Sequence, residues 1–194
     1  MTLRTLRFSL LAIAAGFFGT ATLASPIDWK TVRGWDISFY PGSEGCQAFA
    51  LFEEDTAFFI GFDNTDDELL LDVTLLDKKW ASIEKGTEYD IAVKFGNESP
   101  WSLEMDGLRT DDFPGLNIMI NAQSDEATLF IREFQGESSM TWSYADTTLG
   151  RYTLKGSRAA FDEVVNCQRS YLAARKSQSD PFANSNKKAD PFAD

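Results

Sequence analysis

The sequence predicts an α+β domain, an antiparallel β-sheet or small β-sandwich with a C-terminal α-helix and one shorter helix. Three observations carry that prediction. Between Thr31 and Ile120, apolar and polar residues alternate in successive short runs, the pattern of strands with one buried face. Beyond Ser124 the apolar spacing changes to three and four, the pattern of helices that pack on one side. Glycine, proline, asparagine and aspartate collect between the runs, where turns are needed.

Taken in order, the first strand runs from about Thr31, with Trp35, Ile37 and Phe39 on one face and Asp36 and Ser38 on the other, and ends at Pro41-Gly42. Cys46 to Phe52 and Ala57 to Phe62 are two more, around the polar Glu53-Glu54-Asp55-Thr56. Leu69 to Leu75 follows the Asp63 to Asp67 turn, so this part reads as an antiparallel meander. Past Trp80, Ile83 and Lys85-Gly86, the residues Tyr89, Ile91, Val93 and Phe95 alternate with Asp90, Ala92 and Lys94. Asn97 to Pro100 closes that strand, Trp101, Leu103 and Met105 alternate again, and Leu116 to Ile120 is short, apolar and β-branched.

Ser124 is placed to cap a helix through Asp125, Glu126, Leu129, Phe130 and Phe134, with acids in its first turn and Gly136 as its stop. Thr128 to Ile131 would also serve as a strand, so both states stand open here. Ser139 to Tyr144 and Gly150 to Leu154 form a hairpin. With Ser157 as N-cap, Phe161, Val164, Val165, Gln168, Tyr171 and Leu172 mark one stripe of a helix to about Arg175.

Three segments follow. Residues 1–24 read as an export signal: Arg4 and Arg7 give a positive start, Phe8 to Phe18 an apolar stretch too short to span a bilayer, and Thr22-Leu23-Ala24 the small residues of a cleavage site. Residues 25–175 form one β-rich domain. Residues 176–194 form a polar tail that repeats Asp-Pro-Phe-Ala, and disorder is expected there. The expected location is periplasmic or secreted, with no stable membrane insertion once the signal is removed.

Cys46 and Cys167 are the two cysteines, and in an oxidising compartment they read as one disulfide between an early strand and the last helix. A metal held by two cysteines is the rival reading. No histidine occurs in the 194 residues, which removes Ser-His-Asp and Cys-His chemistry and the commonest zinc ligand. The net charge of -12 opposes binding to nucleic acid. No cofactor is implied.

Several residue groups invite a chemical reading. Asp63, Asn64, Asp66, Asp67 and Glu68 gather five oxygen-bearing side chains that suit a hard cation, although acidic residues are equally at home in a hairpin turn. Glu98, Glu104, Asp106, Asp111 and Asp112 lie near Trp101, as acids do in carboxylate glycosidases. Lys155 precedes Ser157 as a conceivable Ser-Lys dyad, for which the capping role is a sufficient alternative. In the tail, Asp180, Pro181 and Phe182 with Asp190, Pro191 and Phe192 would make a paired binding handle. Trp35, Phe39, Tyr89, Phe95 and Trp101 read as core by alternation. Trp80 and Trp142 are less constrained, and either one exposed among other aromatics would mark a peptide- or glycan-binding patch.

The order helix, glycine, two strands, then Leu154-Lys155-Gly156-Ser157 with Ala160 and a final helix resembles the C-terminal half of the invasion-associated locus B family of exported alphaproteobacterial proteins. It covers about the last third of the domain and departs in having one cysteine pair and Ser157 where the family tends to an aromatic residue. The resemblance implies a small exported β-rich domain tied to the envelope or to host contact, with no catalytic residues to carry over. The expected function is therefore a non-enzymatic exported binding or envelope-associated protein with a protein or envelope component as partner. The alternatives are a carboxylate-based hydrolase of envelope glycans and a periplasmic immunity or inhibitor protein.

Overall fold

The computed structural model describes residues 25–52, 55–65, 68–110 and 113–179. Their elements are β1 (Ile27–Val32), β2 (Trp35–Tyr40), β3 (Gly45–Leu51), β4 (Ala57–Asp63), β5 (Leu70–Leu76), β6 (Glu88–Phe95), β7 (Trp101–Thr110), β8 (Phe113–Asn121), α1 (Asp125–Gly136), β9 (Ser139–Tyr144), β10 (Thr147–Thr153) and α2 (Ser157–Ser179). The strands form one sheet in the order β1-β2-β3-β4-β5-β8-β7-β6-β9-β10, antiparallel throughout, and the first five make the expected meander. This is an α+β fold.

One face of the sheet carries the core. Cys46, Ala48 and Ala50 of β3, Phe58, Ile60 and Phe62 of β4, and Leu71, Val73 and Leu75 of β5 are all buried at every second position. Across the sheet Ile91, Val93, Phe95, Met140 and Trp142 do the same. The sheet doubles over so that these faces meet: Phe52 stacks on Tyr152 at 4.6 Å between centroids, and Phe58 of β4 meets Trp142 of β9 at 6.3 Å. The Tyr152 hydroxyl donates to Thr56 Oγ1 at 3.0 Å, a polar tie between the two arms.

Helix α1 stops one end of this space. The Ala127 amide donates to Ser124 Oγ at 3.0 Å, so the cap forms as predicted and the segment through Ile131 is helical, not extended. Phe130 packs edge-on against Phe95 and Trp101, and Phe134 against Trp35, with ring centroids 5.0 to 5.6 Å apart.

Helix α2 lies over β2 and β3, with Ala160, Phe161, Val164 and Gln168 buried and Tyr171 stacked on Phe39 at 3.9 Å. The Cys46 amide donates to Gln168 Oε1 at 2.8 Å, and the Cys46–Cys167 disulfide joins the same strand and helix with Cα atoms 6.0 Å apart.

Four expectations change in detail. The first predicted strand is two, split by a tight turn in which Arg33 and Gly34 have φ of 53° and 88°, the conformation of a two-residue hairpin. Helix α2 continues past Arg175 to Ser179, taking the first residues assigned to the tail, because Pro181 is the first residue that opposes a helix. Ser157 is the first helical residue, and Gly156, at φ 91°, precedes it. Of the five aromatic residues expected in the core, Trp35 and Phe95 are buried, whereas Phe39, Tyr89 and Trp101 are only partly so.

The disulfide closes a sequence separation of 121 residues. Loop-closure entropy for such a length is worth about 4 to 5 kcal/mol. Cys46→Ala/Cys167→Ala is expected to fall by roughly 2 to 5 kcal/mol in urea denaturation, and dithiothreitol is expected to lower the wild-type melting temperature while leaving the variant's unchanged.

Candidate functional site

At the end of the sheet away from α1 the space between the arms is closed by a loop, residues 77–87, and not by a helix. The loop is held by polar contacts at its base. Asp77 is buried and accepts from Thr56 Oγ1 at 2.7 Å and the Lys79 amide at 2.8 Å, while its own amide donates to Pro114 O. The Arg109 guanidinium donates to Ala81 O at 2.7 Å and Ile83 O at 3.0 Å, and the Glu84 amide donates to the Tyr89 hydroxyl at 3.0 Å. Gly107 lets the loop lie against β7, since a Cβ there would come within 2.2 Å of Glu84 O.

This arrangement leaves an open cleft of about 380 Å³ between loop and sheet. Ile83, Ile91 and Leu116 of the core form its floor. Trp80, Tyr89, Tyr144 and Leu149 form its walls, with the rings of Tyr89 and Tyr144 edge to face at 5.8 Å. Tyr144 is 45% exposed. Ser82 is the remaining lining residue, so the cleft offers apolar surface with few polar groups.

Trp80 thus stands among other aromatics at an opening, whereas Trp142 is fully buried against Phe58. Tyr89 ends the alternating run in β6, and Tyr144 ends β9 and pairs across with Ile91. The alternation that assigned Tyr89 to the core does not tell where along the strand the core ends. Leu149 and Tyr144 had no signal at all, because their position depends on the bulge between Thr148 and Gly150 and on the pairing of β6 with β9.

The predicted acidic groups lie only in part among the described residues. In the 63–68 turn, Asp63 Oδ1 accepts from the Thr65 amide at 2.9 Å and the Thr65 hydroxyl at 2.6 Å, and Glu68 Oε2 accepts from Asn121 Nδ2 at 3.0 Å. The Asn64 amide donates to Ser43 O, while Asp66 and Asp67 lie outside the described residues. Among the described residues no three histidine, cysteine, aspartate or glutamate side chains converge on one point. Asp111, Asp112 and both tail motifs, Asp180-Pro181-Phe182 and Asp190-Pro191-Phe192, also lie outside the described residues.

Glu98 is exposed in the turn after β6, and Trp101 donates its indole N–H to Glu133 Oε2 at 2.7 Å instead of flanking an acid pair. Glu104 and Asp106 project from the outer face of β7. Register sets Glu104 opposite Asp90 and Asp106 opposite Glu88, so four exposed carboxylates form two like-charge pairs. Ser157 is buried at the start of α2, and Lys155 is exposed in the preceding turn.

Asp72 was not singled out by the sequence, where it reads as an outward position of β5. It is only 7% exposed on the outer face of the sheet. Burial pushes its carboxyl above the ordinary aspartate range, against the opposing pull of hydrogen bonds from Thr74, Gln47 and Asn117. Those donors lie 2.7 to 2.8 Å from its oxygens. Through these three bonds Asp72 joins β3, β5 and β8, and the charge of Asp63 adds to the upward push on its carboxyl.

The chain matches no protein-family model, no curated protein and no solved structure. Among the described residues no helix is long and apolar enough to cross a membrane.

Two outcomes follow from the acids. Since Asp72 binds its proton more tightly in the fold than in the unfolded chain, the stability it contributes is full below the unfolded value near 3.8 and is lost as pH rises through the folded one. Urea denaturation from pH 3 to 7 is expected to show the lead of wild type over Asp72→Asn greatest at the acid end and shrinking as pH rises. Relieving one like-charge pair with Glu104→Gln is expected to raise stability by about 0.2 to 1 kcal/mol at low salt and by less at 1 M salt.

Proposed function

We propose that this protein is a non-enzymatic exported binding protein, periplasmic or secreted, and that the cleft walled by Trp80, Tyr89, Tyr144 and Leu149 is where it binds. The observation that carries this reading is the open apolar cleft of about 380 Å³ at the mouth of a doubled sheet, a size and lining common to sites for compact ligands. Its chemistry suits an uncharged aromatic or branched aliphatic group. A sugar polymer would need more hydrogen-bonding partners than Ser82, two tyrosine hydroxyls and the Trp80 indole N–H supply.

The hydrogen bonds that fix the loop favour a preformed site, which lowers the ordering cost of binding. Export is supported by the signal-like residues 1–24, by the Cys46–Cys167 disulfide, and by the resemblance to the invasion-associated locus B family. The lining side chains include no carboxylate, lysine or cysteine, so the hydroxyls of Ser82, Tyr89 and Tyr144 have no base among the lining residues to activate them.

Titration with the fluorescent apolar probe N-phenyl-1-naphthylamine tests the site. Saturable binding to wild type is expected, about tenfold weaker in Tyr144→Ala/Leu149→Ser, because losing two apolar walls forfeits more than 1 kcal/mol of burial. Equal binding by the two proteins would overturn the assignment of the cleft. Turnover of a peptidoglycan or glucan panel that disappears with one Asp or Glu substitution would overturn the non-enzymatic reading.

A further inference from the structure

A second concave surface lies at the opposite edge of the sheet, where β1 and β2 form a groove of about 510 Å³ on the outer face. Asp36, Ser38 and Tyr40 share that face of β2, and Asp28 of β1 stands opposite Ser38 in the register. Ser38 donates to Asp28 Oδ1 at 3.4 Å and Thr31 Oγ1 donates to Asp36 Oδ1 at 2.7 Å, so each carboxylate keeps an oxygen for another partner. Tyr40 lies near both: its hydroxyl is pushed up by burial first and then by the charges of Asp28 and Asp36. Phe49 and Trp29 add aromatic surface, and Trp29 is 45% exposed.

Lys30 also borders the groove, but its ammonium is held by Glu163 of α2 at 2.9 Å. Among the described residues neither Asp28 nor Asp36 forms an ion pair. Beside them runs the edge strand β1, which pairs with β2 on one side and with no described strand on the other. The bulge between Asp28 and Lys30 and the charges on β1 disfavour pairing of two such edges, while the same carboxylates favour a strand that brings positive charge.

We propose that this groove docks an extended basic segment of a partner protein, which lies along β1 and places an arginine or lysine side chain between Asp28 and Asp36 against the rings of Tyr40 and Phe49. The carboxylates supply charge-assisted hydrogen bonds, the rings supply cation–π contact, and the edge of β1 that no described strand covers supplies main-chain partners. This site shares no residue with the apolar cleft, so either can fail without the other.

The test uses the capped peptide acetyl-Thr-Val-Arg-Val-Thr-amide at low ionic strength, measured by calorimetry on the disulfide-bonded protein. Saturable binding is expected, weakened about tenfold or more in Asp28→Asn/Asp36→Asn and equally for a peptide with citrulline in place of arginine. The asparagines keep the oxygens that accept from Ser38 and Thr31, so an unchanged melting temperature is expected to separate lost recognition from lost fold. Equal affinity of wild type and the double variant, or no saturable binding of the arginine peptide at millimolar concentration, would overturn the proposal. So would acetyl-arginine-amide binding as tightly as the peptide, because the strand would then contribute nothing.

Discussion

A sheet with one apolar face must hide that face along its whole width, and here ten strands do so by doubling over until the two arms touch. The contact of Phe52 with Tyr152 and of Phe58 with Trp142 fixes how far the arms close. The doubling leaves two open ends. At one end α1 inserts Phe130 and Phe134, and the volume is filled by rings packed edge to face. At the other end a loop provides Ile83, which is buried, and Trp80, which is only partly so. The cleft is the remainder, and its apolar lining follows from its being the unfilled end of the core.

Helix α2 solves a second problem, since β2 and β3 face it with Ile37, Cys46 and Ala48, and small side chains leave room for a helix to approach. Its own stripe is broken by Gln168, which would be costly in an apolar layer without partners. Gln168 meets that cost by accepting from the Cys46 amide and donating to Glu44 O at 3.3 Å, next to the disulfide itself. Covalent and polar links therefore coincide on one turn of helix. Arg175 adds an ion pair to Glu44 near the end of α2, so the β2–β3 turn is gripped from the same side.

Much of this was legible from period alone. Strands with one wet face announce themselves by alternation, as Tyr89 to Phe95 do, and Ser124 with the acids after it announces a helix start. The hairpin at Arg33-Gly34 was not legible, because arginine gives no hint of the left-handed backbone it adopts there. The longer arms of β7 and β8 were also hidden: their pairing of Arg109 with Pro114 and Leu108 with Gly115 comes from the partner strand, whereas proline and glycine argue locally for a turn. The two cysteines were paired by elimination, which needs no geometry. The cleft was illegible for a different reason. Its walls come from a loop, β6 and the β9–β10 hairpin, which adjoin only through the pairing of β6 with β9, a contact of about fifty residues' separation that no local pattern encodes.

The placement of the acids bears on what kind of work the surface does. Catalytic carboxylate pairs need unlike environments, one dry and one wet, so that one holds its proton while the other does not. In this molecule two carboxylates are dry, Asp72 among donors from three strands and Asp77 between Thr56 and the Lys79 amide, while Glu88, Asp90, Glu104 and Asp106 are exposed together on the outer face of β6 and β7. β8, carrying Asn117, stands between Asp72 and the acids of β6 and β7, and Asp63 of β4 is the acid whose charge reaches Asp72. Exposed acids left opposite one another cost stability, yet they raise the local potential toward cations and slow like-charged approach. The net charge of -12 with that distribution favours the approach of cationic over anionic groups, whereas the cleft at the end of the core is lined by no charged side chain.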